Sequence, residues 1–150
     1  MSGLARRLQR AVPDTKSSVP RLYLTPVTGI FATGATFTMT IKEDSRSVAV
    51  NAIQANLTYP TTRLEFISIN TSTSPFTTTV ESTGGSGSVK IGVALLGGSR
   101  TGDQIVATVT FKASTSGSAV VSFAAGSVIA SEADSTDICQ LRQDANYTIS

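Results

Sequence analysis

The chain has 150 residues, a mass of 15.5 kDa and twelve basic against ten acidic residues. It contains no histidine, no tryptophan and a single cysteine, Cys139. An intrachain disulfide and a Cys–His nucleophile are therefore excluded, and the commonest metal ligand and neutral-pH base is missing. The length fits one domain with an appendage. A domain of this size buries roughly 70% of its unfolded surface, enough to fold without covalent staples.

Charge is spread unevenly. Residues 1–20 carry Arg6, Arg7, Arg10 and Lys16 against Asp14, a net of +3, while the remainder sums to −1. Leu4, Leu8 and Val12 recur every four residues and the arginines fall mostly off that stripe, which predicts a short amphipathic helix. Ser2 can cap its start, Pro13 stops it, and "PDTKSSVP" follows as a polar linker. The arginines interrupt every apolar run, so the arm does not read as a signal peptide; its likeness to a transit peptide ranks below a docking role. Nowhere does the chain reach the ~18 apolar residues of a membrane helix. Ordering such an arm costs entropy that a partner must offset, so Leu4, Arg6, Arg7, Leu8 and Arg10 are candidate partner-docking residues.

From Arg21 onward the pattern is strand. The 22 threonines and 20 serines outweigh the few lysines and glutamates, a composition that favours sheet over helix. "RLYLT" opens the series. "TFTMTIK" places Phe37, Met39 and Ile41 on one face and threonines on the other. "AIQANLTY" does the same with Ile53, Ala55, Leu57 and Tyr59; after Pro60, "RLEFISI" supplies Leu64 and Phe66, then Ile67 and Ile69, a phase shift that predicts a bulge. "PFTTTVE" and "SVKIGVALL" continue it, the latter with Ile91, Val93 and Leu95 on one face, and "QIVATVTFKA" aligns Ile105, Ala107, Val109 and Phe111. Two short strands around Gly126 and a closing "NYTIS" complete nine or ten strands separated by Gly/Ser turns, the spacing of an antiparallel sandwich. Alternation of this kind buries one face of each strand, and two such sheets seal against each other.

The order of these segments resembles the cohesin family and the carbohydrate-binding-module-like sandwiches around it. "GATFTMTIKED" looks like the family's early strand, and "VNAIQANLTYPTTRLEFISI" is similar to its signature segment through Asn51, Gln54, Leu57, Tyr59, Pro60, Leu64 and Glu65. "IVATVTFKASTSGSAVVSFAAGSVIASEADSTDI" and "ANYTIS" resemble its later strands. The resemblance covers residues 21–150 and leaves the arm outside. It departs at Tyr59-Pro60, where the family has an aspartate between the two. It implies a flattened jelly roll of nine strands whose sheet face binds dockerin, and the departure puts that partner in question.

Catalysis finds little support. Glu43 and Asp44 sit at a strand end, and Glu132, Asp134 and Asp137 lie in "SEADSTD". Paired carboxylates held about 5–10 Å apart can hydrolyse glycosides, but neighbours on a polar loop are more often only solvated. That loop has the oxygen-rich look of a calcium site without the glycine and terminal glutamate of an EF-hand; an acidic surface loop is the blander reading. "STGGSGS" and "LGGSRTGD" lack the phosphate-loop lysine and read as turns. Tyr23, Tyr59 and Tyr147 are too few for an aromatic sugar platform and read as core-edge residues. The sequons at Asn56, Asn70 and Asn146 are expected by chance in so hydroxyl-rich a chain.

The expectation is therefore an all-β sandwich with no catalytic residue, cofactor or metal. Its leading function is structural or adhesive: protein partners in a larger, oligomeric assembly held through the arm, as in a protein decorating a virion surface. The alternative is a cohesin module binding dockerin or polysaccharide in an extracellular complex. Nucleic acid is disfavoured as a partner.

Overall fold

A computed structural model describes residues 18–150. The arm residues Leu4, Arg6, Arg7, Leu8 and Arg10 lie outside the described residues.

Twelve strands form two face-packed sheets. They are β1 (Arg21–Thr25), β2 (Thr28–Phe31), β3 (Thr36–Asp44), β4 (Val50–Thr58), β5 (Leu64–Asn70) and β6 (Thr78–Gly85), then β7 (Ser88–Ala94), β8 (Asp103–Ala113), β9 (Gly117–Phe123), β10 (Val128–Ser131), β11 (Leu141–Gln143) and β12 (Ala145–Ile149). One sheet has five strands in the order β11-β1-β3-β8-β5. The other has seven, β2-β12-β9-β4-β7-β6, with β10 also paired to β4. The count exceeds the nine or ten expected because β2 and β11 are short and lack a full alternating period. Both of these edge strands pair in parallel, β2 with β12 and β11 with β1, so each sheet is mixed.

The alternation builds the core. Phe37, Met39 and Ile41 of β3, Ile53, Ala55 and Leu57 of β4, and Val89, Ile91 and Val93 of β7 are buried between the sheets. Phe31 stacks on Phe37 with ring centroids 3.9 Å apart, and Tyr147 meets both rings edge-on. Each such side chain contributes roughly 1.5–3 kcal/mol by leaving water.

Two bulges re-phase the five-stranded sheet. In β5, Phe66 pairs with Phe111 and Ser68 with Thr110, so Ile67 is the extra residue and faces solvent at 44% exposure rather than joining the core. In β8, Ile41 pairs with Ala107 and Lys42 with Ile105. Val106 is therefore the buried residue there, and Ile105 is turned away from the face assigned to it by simple alternation. The β6–β7 hairpin turns on Ser86 and Gly87, both at positive φ, within the glycine-rich stretch read as a turn.

The inner face of β3 ends on a carboxyl. Phe37, Met39, Ile41 and Glu43 share one parity, and Glu43 pairs in register with the core residue Leu22. Its side chain is fully buried and neither oxygen has a hydrogen-bond partner among the described residues. Burial first, then the neighbouring Asp44 and Asp103, pushes its pKa up to about 8.

Candidate functional site

The pleat sets which residues face outward on the seven-stranded sheet. Ala52, Gln54, Asn56 and Thr58 of β4 alternate with its core residues. The register places Ala94, Gly92, Lys90 and Ser88 of β7 beside them, and Thr78, Glu81, Thr83 and Gly85 of β6 beyond. On the other flank Val128 and Ala130 of β10 stand next to Gln54 and Ala52, and Ser122 of β9 next to Thr58.

Gln54 spans three strands of this face. Its Nε2 donates to Asn56 Oδ1 at 2.8 Å and to Glu81 Oε1 at 3.0 Å, which requires the side chain to cross β7. Gly92 makes that crossing possible: a Cβ there would stand 2.6 Å from Gln54 Oε1. A glycine in a strand interior often marks such a close approach. The small side chains of Ala52, Gly92 and Ala94 leave a shallow depression of about 160 Å³, bounded by Gln54, Val80 and Val128. Val80 stands on its rim at 71% exposure.

Asn56 holds the face together where β9 gives way to β10. Its amide nitrogen donates to Ser127 Oγ, its carbonyl accepts from the Ala124 amide, and its Nδ2 donates to the Ala125 carbonyl. The backbone of β4 is thereby satisfied at the point where its partner strand changes, as buried polar groups require. The result is a stiff, nearly neutral surface, mixed polar and apolar, with little relief. Its chemistry suits burial against another protein surface.

The carboxylates near the end of β3 sit in different surroundings. Glu43 points inward, while Asp44 belongs to the opposite parity and accepts from the Arg46 amide at 2.9 Å and Arg46 Nη1 at 3.3 Å. Asp103 accepts from the Tyr23 hydroxyl and pairs with Lys42 at 3.2 Å. Burial, reinforced by Asp103, pushes the Tyr23 hydroxyl's pKa upward.

In the acidic loop, Asp134 accepts from the Thr136 amide and hydroxyl, bonds that hold its carboxyl below the usual range. Asp137 caps the Ile129 and Cys139 amides and pairs with Arg142 at 2.9 Å. These oxygens close the loop on itself, and among the described residues no group of three acidic or thiol side chains could hold a metal ion. Cys139 is half-buried, and burial pushes its thiol up. Tyr59 and Tyr147 are buried; Tyr147 lies inside the core rather than at its edge, and its hydroxyl donates to the Pro26 carbonyl.

A family model described as the cohesin domain matches residues 21–141. The chain belongs to the cohesin family. Cohesin domains are binding modules rather than catalysts. Solved structures agree on the fold. A non-cellulosomal cohesin from the archaeon Archaeoglobus fulgidus superposes with a TM-score of 0.71 at 16% identity, covering 89% of this chain and 92% of that one. The seventh ScaB type I cohesin of Pseudobacteroides cellulosolvens gives 0.74 at 13% identity, with 88% and 92% covered. A type I cohesin of Clostridium thermocellum, solved in complex with a dockerin, gives 0.72 at 11% identity, with 91% and 97% covered. No curated protein matches the chain significantly.

Of the residues on this outer face, Gln54 and Asn56 lie within the signature-like segment legible in the sequence. Gly92 and Glu81 lie outside that segment; a glycine inside an otherwise unbroken strand pattern is the signal the sequence offers for Gly92.

Proposed function

We propose that this cohesin is a protein-docking module that receives a dockerin-type partner on the outer face of β6, β7, β4 and β10. The observation carrying this reading is the strip of small residues, Ala52, Gly92 and Ala94, beside the Gln54–Glu81 bridge. It exposes apolar area and nearly flat backbone on a rigid support, which a partner covers without reordering the sheet. Polysaccharide is less favoured: Tyr59 and Tyr147 are buried, and Arg21 covers one side of the Tyr23 ring. Calorimetry against a dockerin panel tests the proposal. Saturable binding that Ala94→Arg removes supports it; binding indifferent to that change would remove this face from consideration.

The finer reading attaches this module to a larger assembly, such as a virion surface, through residues 1–20. Its support is the segregation of charge, +3 in those residues against −1 in the rest. Deleting residues 2–18 should abolish particle attachment and leave the melting transition of the sandwich in place. Attachment by the truncated chain would refute the arm's role.

A further inference from the structure

Arg21 opens β1, which lies between β11 and β3 in the five-stranded sheet, away from the proposed docking face. It is only 6% exposed, and among the described residues it forms no ion pair. Its guanidinium lies 3.8 Å from the Tyr23 ring centroid, and Nη1 donates to Gln143 Oε1. Its Nε is buried with no hydrogen-bond partner among the described residues. A guanidinium taken out of water to this extent is costly unless a carboxylate or comparable acceptor meets it.

Two carboxylates on its side of the sheet, Asp44 and Asp103, are already engaged, and Glu43 has the opposite parity and points into the core. Asp44 stands opposite Arg21 in the register but is held by Arg46. Asp103 is held by Tyr23 and Lys42. Arg21 instead lines a half-enclosed cleft of about 220 Å³, with Tyr23, Leu24, Thr25, Val27 and Gln143 as the other walls. The cleft exists because β11 pairs with β1 only from Arg21 to Tyr23, while β1 runs on to Thr25 before the chain crosses to the other sheet.

We propose that this cleft binds a carboxylate, with Arg21 as the anion's fork, Gln143 and Thr25 as flanking polar groups, and Val27 as an apolar lip. A planar guanidinium matches a carboxylate in two parallel hydrogen bonds, a geometry lysine cannot supply. The volume suits a ligand the size of one amino acid or one sugar ring, smaller than a drug-sized site. A peptide C-terminus and a sugar acid carry the same chemistry, and the experiment separates them.

The test follows the Arg21 Nε–H resonance of the full-length chain by NMR. Acetate, N-acetyl-alanine and glucuronate are titrated in turn against sodium chloride at matched ionic strength. A saturable shift with any carboxylate, beyond that given by chloride, is expected. Preference for N-acetyl-alanine would indicate a peptide terminus, and preference for glucuronate a sugar acid.

Arg21→Lys, checked for folding by circular dichroism and followed through backbone amides, should weaken binding at least tenfold. Thr25→Val, which keeps the fork, should weaken it a few-fold. A shift no larger than chloride's, or affinity unchanged in Arg21→Lys, would overturn the proposal. So would an Asp14→Asn variant whose Arg21 resonance moves without added ligand, because the chain's own carboxylate would then fill the cleft. The wild-type titration decides even if the lysine variant fails to fold.

Discussion

Across the five-stranded sheet, Thr36, Thr38 and Thr40 of β3 stand beside Lys112, Thr110 and Thr108 of β8 on the outer face. Across the seven-stranded sheet, Ala94 and Gly92 of β7 stand beside Ala52 and Gln54 of β4. The first face offers evenly spaced hydroxyls that water can satisfy, with little apolar area to give up. The second offers shortened side chains, a bridged amide and an apolar rim that a partner can cover. The sheets also differ in burial of charge. Among the described residues the buried charged side chains, Arg21, Glu43 and Asp44, all belong to the five-stranded sheet. Surfaces built on the same backbone geometry thus divide into one suited to solvent and one suited to docking, with the electrostatic cost concentrated behind the first.

The largest expected effect tests that concentration. Glu43 binds its proton more tightly folded, with a pKa pushed up to about 8 from an ordinary 4.5, so its contribution to stability is fully present below the lower value. It is lost as pH rises through about 8. At ~1.4 kcal/mol per pKa unit, the full loss is on the order of 5 kcal/mol. Urea denaturation from pH 5 to 9 should show this decline in the wild type and flatten it in Glu43→Gln. Parallel curves for the two proteins would show that the carboxyl is not held neutral.

Next in size is a paired substitution across the two faces. Ala94→Arg should weaken dockerin-type binding about 100-fold, roughly 2.7 kcal/mol, while Thr38→Arg on the opposite face should leave affinity within about twofold. Equal losses from both, read by calorimetry, would erase the distinction between the faces.

Gly92→Ala probes the bridge itself. Displacing Gln54 from Glu81 should cost about 1 kcal/mol in stability. Adding Gln54→Ala should remove most of that penalty, a coupling that a double-mutant cycle measures. Full additivity would mean that the glycine does not serve the crossing. The smallest effect belongs to the threonine face: Thr38→Val and Thr110→Val should each stay within about 0.5 kcal/mol by thermal melting. A larger loss would give that face a structural role beyond solvation.

Much of this architecture is readable from β3, β4, β7 and the C-terminal half of β8, whose strict alternation fixes which side chains enter the core. The bulge near Ile67 is legible as a break in phase. The one at Val106 is not, because Ile105, Ala107, Val109 and Phe111 continue an apolar period without visible interruption. β2 and β11 carry too few residues for a period to register, and they exist because neighbouring strands offer open edges. The outer face of β4, β7 and β6 is harder to read than the core. Gln54 and Asn56 stand out only within the family-like segment, and the importance of Gly92 depends on a side chain from another strand. Glu43 illustrates the reverse: extending the Phe37–Met39–Ile41 parity by one step places a carboxyl in the interior.

The parallel pairing of β2 with β12 has a mechanical consequence. Pro20 lies beside Gln140 at one end of the sandwich, whereas Ser150 exchanges hydrogen bonds with Phe31 and Thr33 at the other. The intervening run from Arg21 to Phe31 spans about 30 Å at strand rise. Tension applied between these points would shear the β2–β12 hydrogen bonds together instead of unzipping them singly. A tether of this form resists detachment through its unfolding rate, so it would suit a module that has to hold its cargo under flow.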